Sequence, residues 1–268
     1  MVEFRTHGKP PFQIVVLHGG PGAWGEMAPV AEYLSDTYGI IEPFFLEATL
    51  PEQLLELKQI IDIHNIEKVV LIGFSWGAWL RYLFAAKFPN LMKKLILVGS
   101  GPYKHQYYLE LIDTRNNRMS QEQKEHYSEI LNNLQDPNMT NNDASISQLG
   151  ALCRKIDQYN DLEVEEPFPT PHFDIDRTTH FQKAMNEVIR MRKSGDLLKE
   201  AEKIKCPVVA IHGDYDPHPV NGVKIPLEKK IVDFQFFLLE KCGHKPWTER
   251  YARLEFYKLI NSLLIFKD

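Results

Sequence analysis

The feature that most constrains this chain is the stretch Val69-Val70-Leu71-Ile72-Gly73-Phe74-Ser75-Trp76-Gly77-Ala78-Trp79. It opens as an unbroken apolar run with β-branched residues, the pattern of a strand buried on both faces. From Trp76 onward apolar residues recur at helical spacing, through Trp79, Leu80, Leu83 and Phe84. A strand that turns directly into a helix strains the residue at the turn, and side chains two positions either side collide across it. Gly73 and Gly77 meet that demand and bracket Ser75 as G-x-S-x-G. The geometry holds a hydroxyl out at the end of a sheet, above a helix N-terminus.

The flanking sequence repeats the alternation of strand and helix. Gln13–Leu17 reads as a buried strand running into His18-Gly19-Gly20-Pro21-Gly22, a loop whose backbone can approach another group closely. Ala28–Leu34 reads as a short helix and Ile40–Leu46 as a strand, with Pro43 pointing to an edge or a bulge. Pro51–Ile63 carries one apolar stripe (Leu54, Leu57, Ile60, Ile61) and reads as a helix, and Leu95–Val98 as the next strand. After an interruption the pattern resumes with strands at Cys206–Ile211 and Phe234–Leu239, linked by a connector holding Pro217, Pro219 and Pro226. A final helix carries Tyr251, Leu254, Tyr257, Ile260, Leu263 and Leu264. This order calls for an α/β fold: a mostly parallel sheet flanked by helices on both faces.

Between Tyr103 and Ser194 the chain is polar, largely helical and without strand runs. Ser120-Gln121-Glu122-Gln123 has capping-box form, Asp143–Tyr159 and Phe181–Arg192 are further helices, and Glu163–Pro171 is an acidic, proline-rich loop. Residues 103–194 are therefore expected to form a helical cap, or lid, inserted into a core made of 1–102 and 195–268.

Composition narrows the context. With 268 residues, 44% apolar and 25% charged, the chain is ordinary globular protein. A net charge of −5 offers no basic surface, so no nucleic-acid partner is expected. No apolar run approaches the ~20 residues of a membrane span, and Met1–His7 lacks a signal-peptide core. Cys153, Cys206 and Cys242 are odd in number and lack C-x-x-C spacing, so they read as thiols in a reducing compartment. The expectation is a cytoplasmic protein without membrane attachment.

Three features fall at strand ends, where ligands collect on open α/β sheets: Ser75, the acidic turn His212-Gly213-Asp214-Tyr215-Asp216, and the turn Cys242-Gly243-His244. A serine is a weak nucleophile until a base takes its proton, histidine suits that task near neutral pH, and a buried carboxylate fixes the imidazole tautomer. Ser75, His244 and Asp216 are the candidate nucleophile, base and acid. Asp214 is the less favoured acid, since beside Gly213 it can hydrogen-bond its own turn. The backbone N–H groups of Trp76 and Gly20 are the candidate donors to a developing oxyanion. Trp24, Trp76 and Trp247 lie close to these motifs and are candidate walls of an apolar substrate pocket, with packing under the lid an equal account. Glu163, Glu165 and Glu166 read as a solvated loop, less readily as a receptor for a cationic substrate. His212, Asp214, Asp216, His218 and His244 form a crowd of metal-ligand types, but their spacing matches no common zinc pattern and no metal or other cofactor is expected. His212 reads as a strand-end residue with a satisfied nitrogen and His218 as a rigid loop position.

Over nearly its whole length the chain resembles the α/β-hydrolase superfamily. The HGGPG loop at 18–22 with the Gly73-Phe74-Ser75-Trp76-Gly77 elbow is similar, more specifically, to the proline iminopeptidase branch. The resemblance implies Ser75 as nucleophile, Asp216 as acid, His244 as base, and Gly20 and Trp76 as oxyanion donors. It also implies that the segment before Ile14 is too short for the first two strands of such sheets, leaving about six. The expected activity is hydrolysis of small esters or amides through an acyl-enzyme, on a small-molecule or short-peptide substrate. An iminopeptidase-like aminopeptidase is the alternative, and a non-catalytic binding protein on the same scaffold is the second.

Overall fold

The computed structural model describes residues 2–136, 143–162, 169 and 172–265. Seven strands are formed: β1 (Glu3–His7), β2 (Phe12–Leu17), β3 (Gly39–Phe44), β4 (Val69–Phe74), β5 (Met92–Val98), β6 (Val208–Gly213) and β7 (Phe234–Leu239). They lie side by side in the order β1-β3-β2-β4-β5-β6-β7. All neighbours are parallel except β1, which runs antiparallel to β3. The α/β sheet expected from the alternating pattern is present, with seven strands instead of about six. The arm before Ile14 supplies an edge strand whose half-exposed residues carry no buried apolar run, so composition did not reveal it.

The helices among the described residues are α1 (Ala28–Ser35), α2 (Leu50–Ile63), α3 (Trp76–Lys87), α4 (His105–Arg118), α5 (Gln121–Gln135), α6 (Asp143–Asp157), α7 (Arg177–Ser194), α8 (Asp196–Lys199), α9 (Val220–Glu228) and α10 (Arg253–Leu263). None is long and apolar enough to cross a membrane.

Alternation along the strands decides which core each residue joins. Val15, Leu17, Val69, Leu71, Leu95, Leu97, Val208 and Ala210 meet α2, α3 and α9 on one face. Ile14, Val16, Val70, Ile72, Ile96, Val98, Val209 and Ile211 meet α1 and α10 on the other. Both faces are covered, which explains why the central strands read as continuous apolar runs. Burying each such side chain contributes about 1.5–3 kcal/mol. The helices between β5 and β6 have their own smaller core of Met119, Tyr127, Ile130, Leu134, Leu152 and Ile156.

Several local expectations change. Pro43 marks neither an edge nor the bulge: β3 lies between β1 and β2, and the register shift of that pair falls at Phe12/Ile14. Pro43 is tolerated because it lies past Ile41, where the β2 pairing ends, and faces only Phe4 of β1. The proline-bearing connector after β6 contains a helix, α9, with Pro226 inside it. Proline removes the bond to the carbonyl four residues back, that of Gly222, and the Tyr103 N–H bonds this carbonyl instead at 3.0 Å. Tyr251 and Leu254 are exposed, and α10 buries Phe256, Tyr257, Ile260 and Leu263. The acidic segment 163–168 and residues 170–171 lie outside the described residues.

One buried carboxylate joins the inserted helices to the sheet's C-terminal edge. Glu249 is fully buried and accepts the N–H groups of Gly243, Tyr159 and Asn160, each at 2.7 Å. Glu249→Ala strips three charge-assisted bonds and leaves their donors, that of Gly243 buried, without acceptors. It is expected to destabilise the fold by about 3 kcal/mol or more, read as a lowered urea midpoint at unchanged slope.

Candidate active site

The site is assembled by loops that continue the sheet's hydrogen bonding past the strand ends. The Ser75 N–H donates to Val98 O of β5 at 2.9 Å, Gly99 N–H to Ile211 O of β6 at 2.9 Å, and Asp214 N–H to Leu239 O of β7 at 2.9 Å. Each turn is therefore pinned to its neighbour, and the residues that follow share one rim. At the first of them Ser75 adopts φ 51°, ψ −111°. A Cβ at Gly73 would run into the Gly77 backbone, and one at Gly77 into the carbonyls of His18 and Leu17. The flanking glycines of the motif are therefore a packing requirement.

Ser75, Asp216 and His244, read from three separate turns, are brought into contact. His244 Nδ1 lies 2.8 Å from Asp216 Oδ2, and His244 Nε2 lies 3.0 Å from Ser75 Oγ. A carboxylate only accepts, so Nδ1 carries the hydrogen and Nε2 is left to accept from the Ser75 hydroxyl. Asp214 takes no part: it is exposed and accepts the Cys242 N–H at 3.0 Å.

His218, expected as a rigid loop position, is held in place by the acid itself. Its Nδ1 lies 2.7 Å from Asp216 Oδ1, its own N–H donates to the same oxygen at 3.0 Å, and its ring stacks on His244 with centroids 4.5 Å apart. His212, by contrast, donates from Nε2 to His218 O at 2.8 Å, the satisfied nitrogen expected of it. Burial alone would push the Asp216 carboxyl up, but the rings of His244, His218 and His212 and the bond from His218 hold it well below the usual carboxylate range. Burial pushes the His218 ring down to about 4, outweighing the attraction of Asp216, so it is neutral at pH 7. Asp216, His218 and His244 bring possible metal-ligand atoms within 4.8 Å of one another. Both rings, however, turn Nδ1 to the carboxylate, so the three groups satisfy one another.

Gly20, Trp76 and Ser75 line one cavity of about 530 Å³. The Trp76 N–H is the first of α3 and has no acceptor in its own helix. In the glycine loop the Gly19 N–H is already taken by Glu26 Oε2 at 2.9 Å, whereas Gly20 lines the cavity. Glu26 was missed in the sequence. Its second oxygen pairs with Lys245, the residue after His244, so one ion pair ties the glycine loop to the base turn. Burial raises the Glu26 carboxyl, and Lys245 more than reverses this, leaving it below its usual value.

Of the three tryptophans expected near the pocket, Trp76 lines the cavity and the other two do not. Trp247 packs beneath the site, its ring 4.7 Å from Phe74 and edge-on, within the core shared with α10. The chain turns back under Phe74 after His244, which carries the residue away from the opening. Trp24 packs edge-on against Phe173 at 4.9 Å, beside a separate crevice behind Pro21. The aromatic walls come from Trp76 together with Phe74, Trp79, Tyr108, Tyr127 and Phe181. Remaining walls come from α4, α5 and α6, including Leu111, Leu131, Ile146 and Leu149. The segment between β5 and β6 also holds the base turn directly, since the His244 N–H donates to Asp157 O at 2.9 Å.

Comparison with known proteins agrees with this fold. A family model described as alpha/beta hydrolase fold matches residues 48–250. The chain is 25% identical to a proline iminopeptidase of Saccharolobus solfataricus, covering 91% of this chain and 83% of that protein. It is 23% identical to a 2-hydroxy-6-oxo-2,4-heptadienoate hydrolase of Pseudomonas putida, covering 95% and 90% respectively. The crystal structure of a Paleococcus ferrophilus monoacylglycerol lipase superposes with a TM-score of 0.63 at 18% identity, covering 98% of each chain.

The neutral, buried His218 carries a consequence for acid stability. Its ring takes a proton below about 6.5 in the unfolded chain but only below about 4 in the native one. Stability is therefore fullest above pH 6.5 and falls as pH drops toward 4, by roughly 1.4 kcal/mol per pH unit for this one group. In His218→Asn the stability difference from wild type should change across that window, as measured by denaturant titrations at stepped pH. A difference that does not vary with pH would contradict the assignment.

Proposed function

The chain belongs to the alpha/beta hydrolase fold family, and on that premise we propose that it is a serine hydrolase cleaving small esters or amides through an acyl-enzyme. One observation carries the reading: the unbroken relay from Ser75 Oγ through His244 to Asp216, at 3.0 and 2.8 Å. In this reading Ser75 Oγ attacks the substrate carbonyl carbon while His244 Nε2 takes its proton. The Gly20 and Trp76 N–H groups receive the oxyanion, and each such donor is worth about 3 kcal/mol in the transition state. The carbon–leaving-group bond then breaks, and the departing oxygen or nitrogen takes the proton from His244. Water attacks the acyl carbon, gives a proton to His244, and the proton returns to Ser75 as the acid product leaves. Asp216 orients His244 and stabilises its charged form, and His218 saturates the second oxygen of Asp216.

Residues 103–194 act as a cap over the core of 1–102 and 195–268 and decide what enters. That Tyr108, Leu131, Ile146 and Phe181 line the cavity supports this. The free thiols Cys153, Cys206 and Cys242 support action in a reducing compartment, the cytoplasm.

An aminopeptidase is the second reading, favoured by the His18–Gly22 loop and by the proline iminopeptidase of Saccharolobus solfataricus, matched over 91% of this chain. Against it, the cavity carboxylates among the described residues, Glu26 and Asp157, are each engaged by a cation, Lys245 and Arg115, so neither is free to receive an amine. Hydrolysis of short-chain nitrophenyl esters is expected to exceed that of proline nitroanilide, and Ser75→Ala or His244→Ala should lower turnover by roughly 10⁴-fold or more. A strong preference for proline nitroanilide would transfer the assignment to the aminopeptidase. Saturable binding without turnover of either would mark a binding protein.

A further inference from the structure

The cavity at Ser75 is lined by four cations of the described residues, and three of them are matched. Lys245 pairs with Glu26, Arg154 with Asp161, and Arg115 clasps Asp157 through two bonds of 3.0 and 2.5 Å. Arg192 is the exception. It stands in the last turn of α7, is 2% exposed, and its Nε and Nη2 have no hydrogen-bond partner. No carboxylate among the described residues pairs with it. Its guanidinium instead lies over two rings, 4.1 Å from the centroid of Tyr108 and 5.5 Å from that of Trp79.

A buried cation facing only aromatic rings is held in place but not neutralised. Burial lowers its pKa only to about 10, so at neutral pH it keeps its charge. A solitary buried cation in a largely apolar cavity attracts an anion more strongly than one at the surface. A guanidinium offers a planar fork of donors that matches a carboxylate. Its place fits a substrate bound at Ser75: Ser75, Trp79 and Arg192 line the same cavity, and the Trp79 ring beside Arg192 is fixed by its Nε1–H donating to Gly101 O at 3.0 Å.

We propose that Arg192 is an anion-binding residue of this cavity, and that the ester or amide cleaved at Ser75 carries a carboxylate that pairs with its unoccupied guanidinium edge. The cleavage half of this inference rests on the serine-hydrolase reading, whereas the binding half does not. The acidic group distinguishes it from an aminopeptidase substrate, whose free end is cationic.

Two matched pairs of esters test it: mono-4-nitrophenyl glutarate against 4-nitrophenyl valerate, with the acid on the acyl side, and 3-acetoxybenzoate against phenyl acetate, with the acid on the leaving side. Wild type should favour the acidic member of at least one pair in kcat/KM. Arg192→Gln should lower that acidic-to-neutral ratio by roughly 10- to 100-fold, and Arg192→Lys, which keeps the charge, should restore part of it. A structural arginine would lower both members together and leave the ratio intact, which would overturn the proposal, as would the lack of a preference in both pairs. Calorimetric titration of Ser75→Ala with monomethyl glutarate and with methyl valerate separates this from the hydrolase reading. Binding of the acid alone, lost in Ser75→Ala/Arg192→Gln, sustains the anion site even if no ester is turned over. Lack of such binding contradicts it.

Discussion

The structure depends on one tight turn. Between β4 and α3 the chain reverses its periodicity within a single residue, and Ser75 takes a positive φ of 51° that side-chain-bearing residues avoid. Such a conformation costs on the order of 1–3 kcal/mol and persists only where its surroundings over-determine it. Here they do: Gly73 and Gly77 let the turn close on itself and on the His18 carbonyl, and the Ser75 amide is tied to Val98 of the next strand. The strain is absorbed beside a strand buried along its whole length. Its product is a hydroxyl that neither the strand nor the helix can draw away from the rim.

A second dependence is electrostatic. Asp216 is a buried carboxylate whose oxygens accept from the Nδ1 groups of His244 and His218 and from the His218 N–H. Without those donors a buried charge there would be intolerable, and with them the carboxylate stays ionised and fixes two rings at once. The same logic recurs around the opening. Glu26 with Lys245 joins two loops at the strand ends, Asp157 with Arg115 joins α6 to α4, and Glu249 with three backbone amides joins the turn after β7 to the residues that follow α6. Arg192 stands apart because nothing of the kind answers it.

Much of this was legible in the residues. The G-x-S-x-G junction, the strand ends at Asp216 and His244 and the glycine loop all carry strong local signals, because tight turns and doubly buried strands leave little choice of residue. What escaped depends on tertiary partners. β1 is half exposed and has no apolar signature. α9 looks forbidden by Pro226 until Tyr103, from more than a hundred positions earlier, takes the carbonyl that proline leaves free. Trp24 and Trp247 sit beside the motifs in sequence but turn away from the cavity in space. Glu26, His218 and Arg192 look like ordinary polar residues until burial and neighbours are known, and each owes its significance to a contact made across the fold.

The central claim is that the Ser75 hydroxyl is an activated nucleophile. Its most direct test is covalent labelling with a fluorophosphonate probe, followed by peptide mass spectrometry. The account predicts a single adduct on Ser75, lost in Ser75→Ala and strongly slowed in His244→Ala. Folded protein that takes no label, or labelling that survives unchanged in Ser75→Ala, would contradict it.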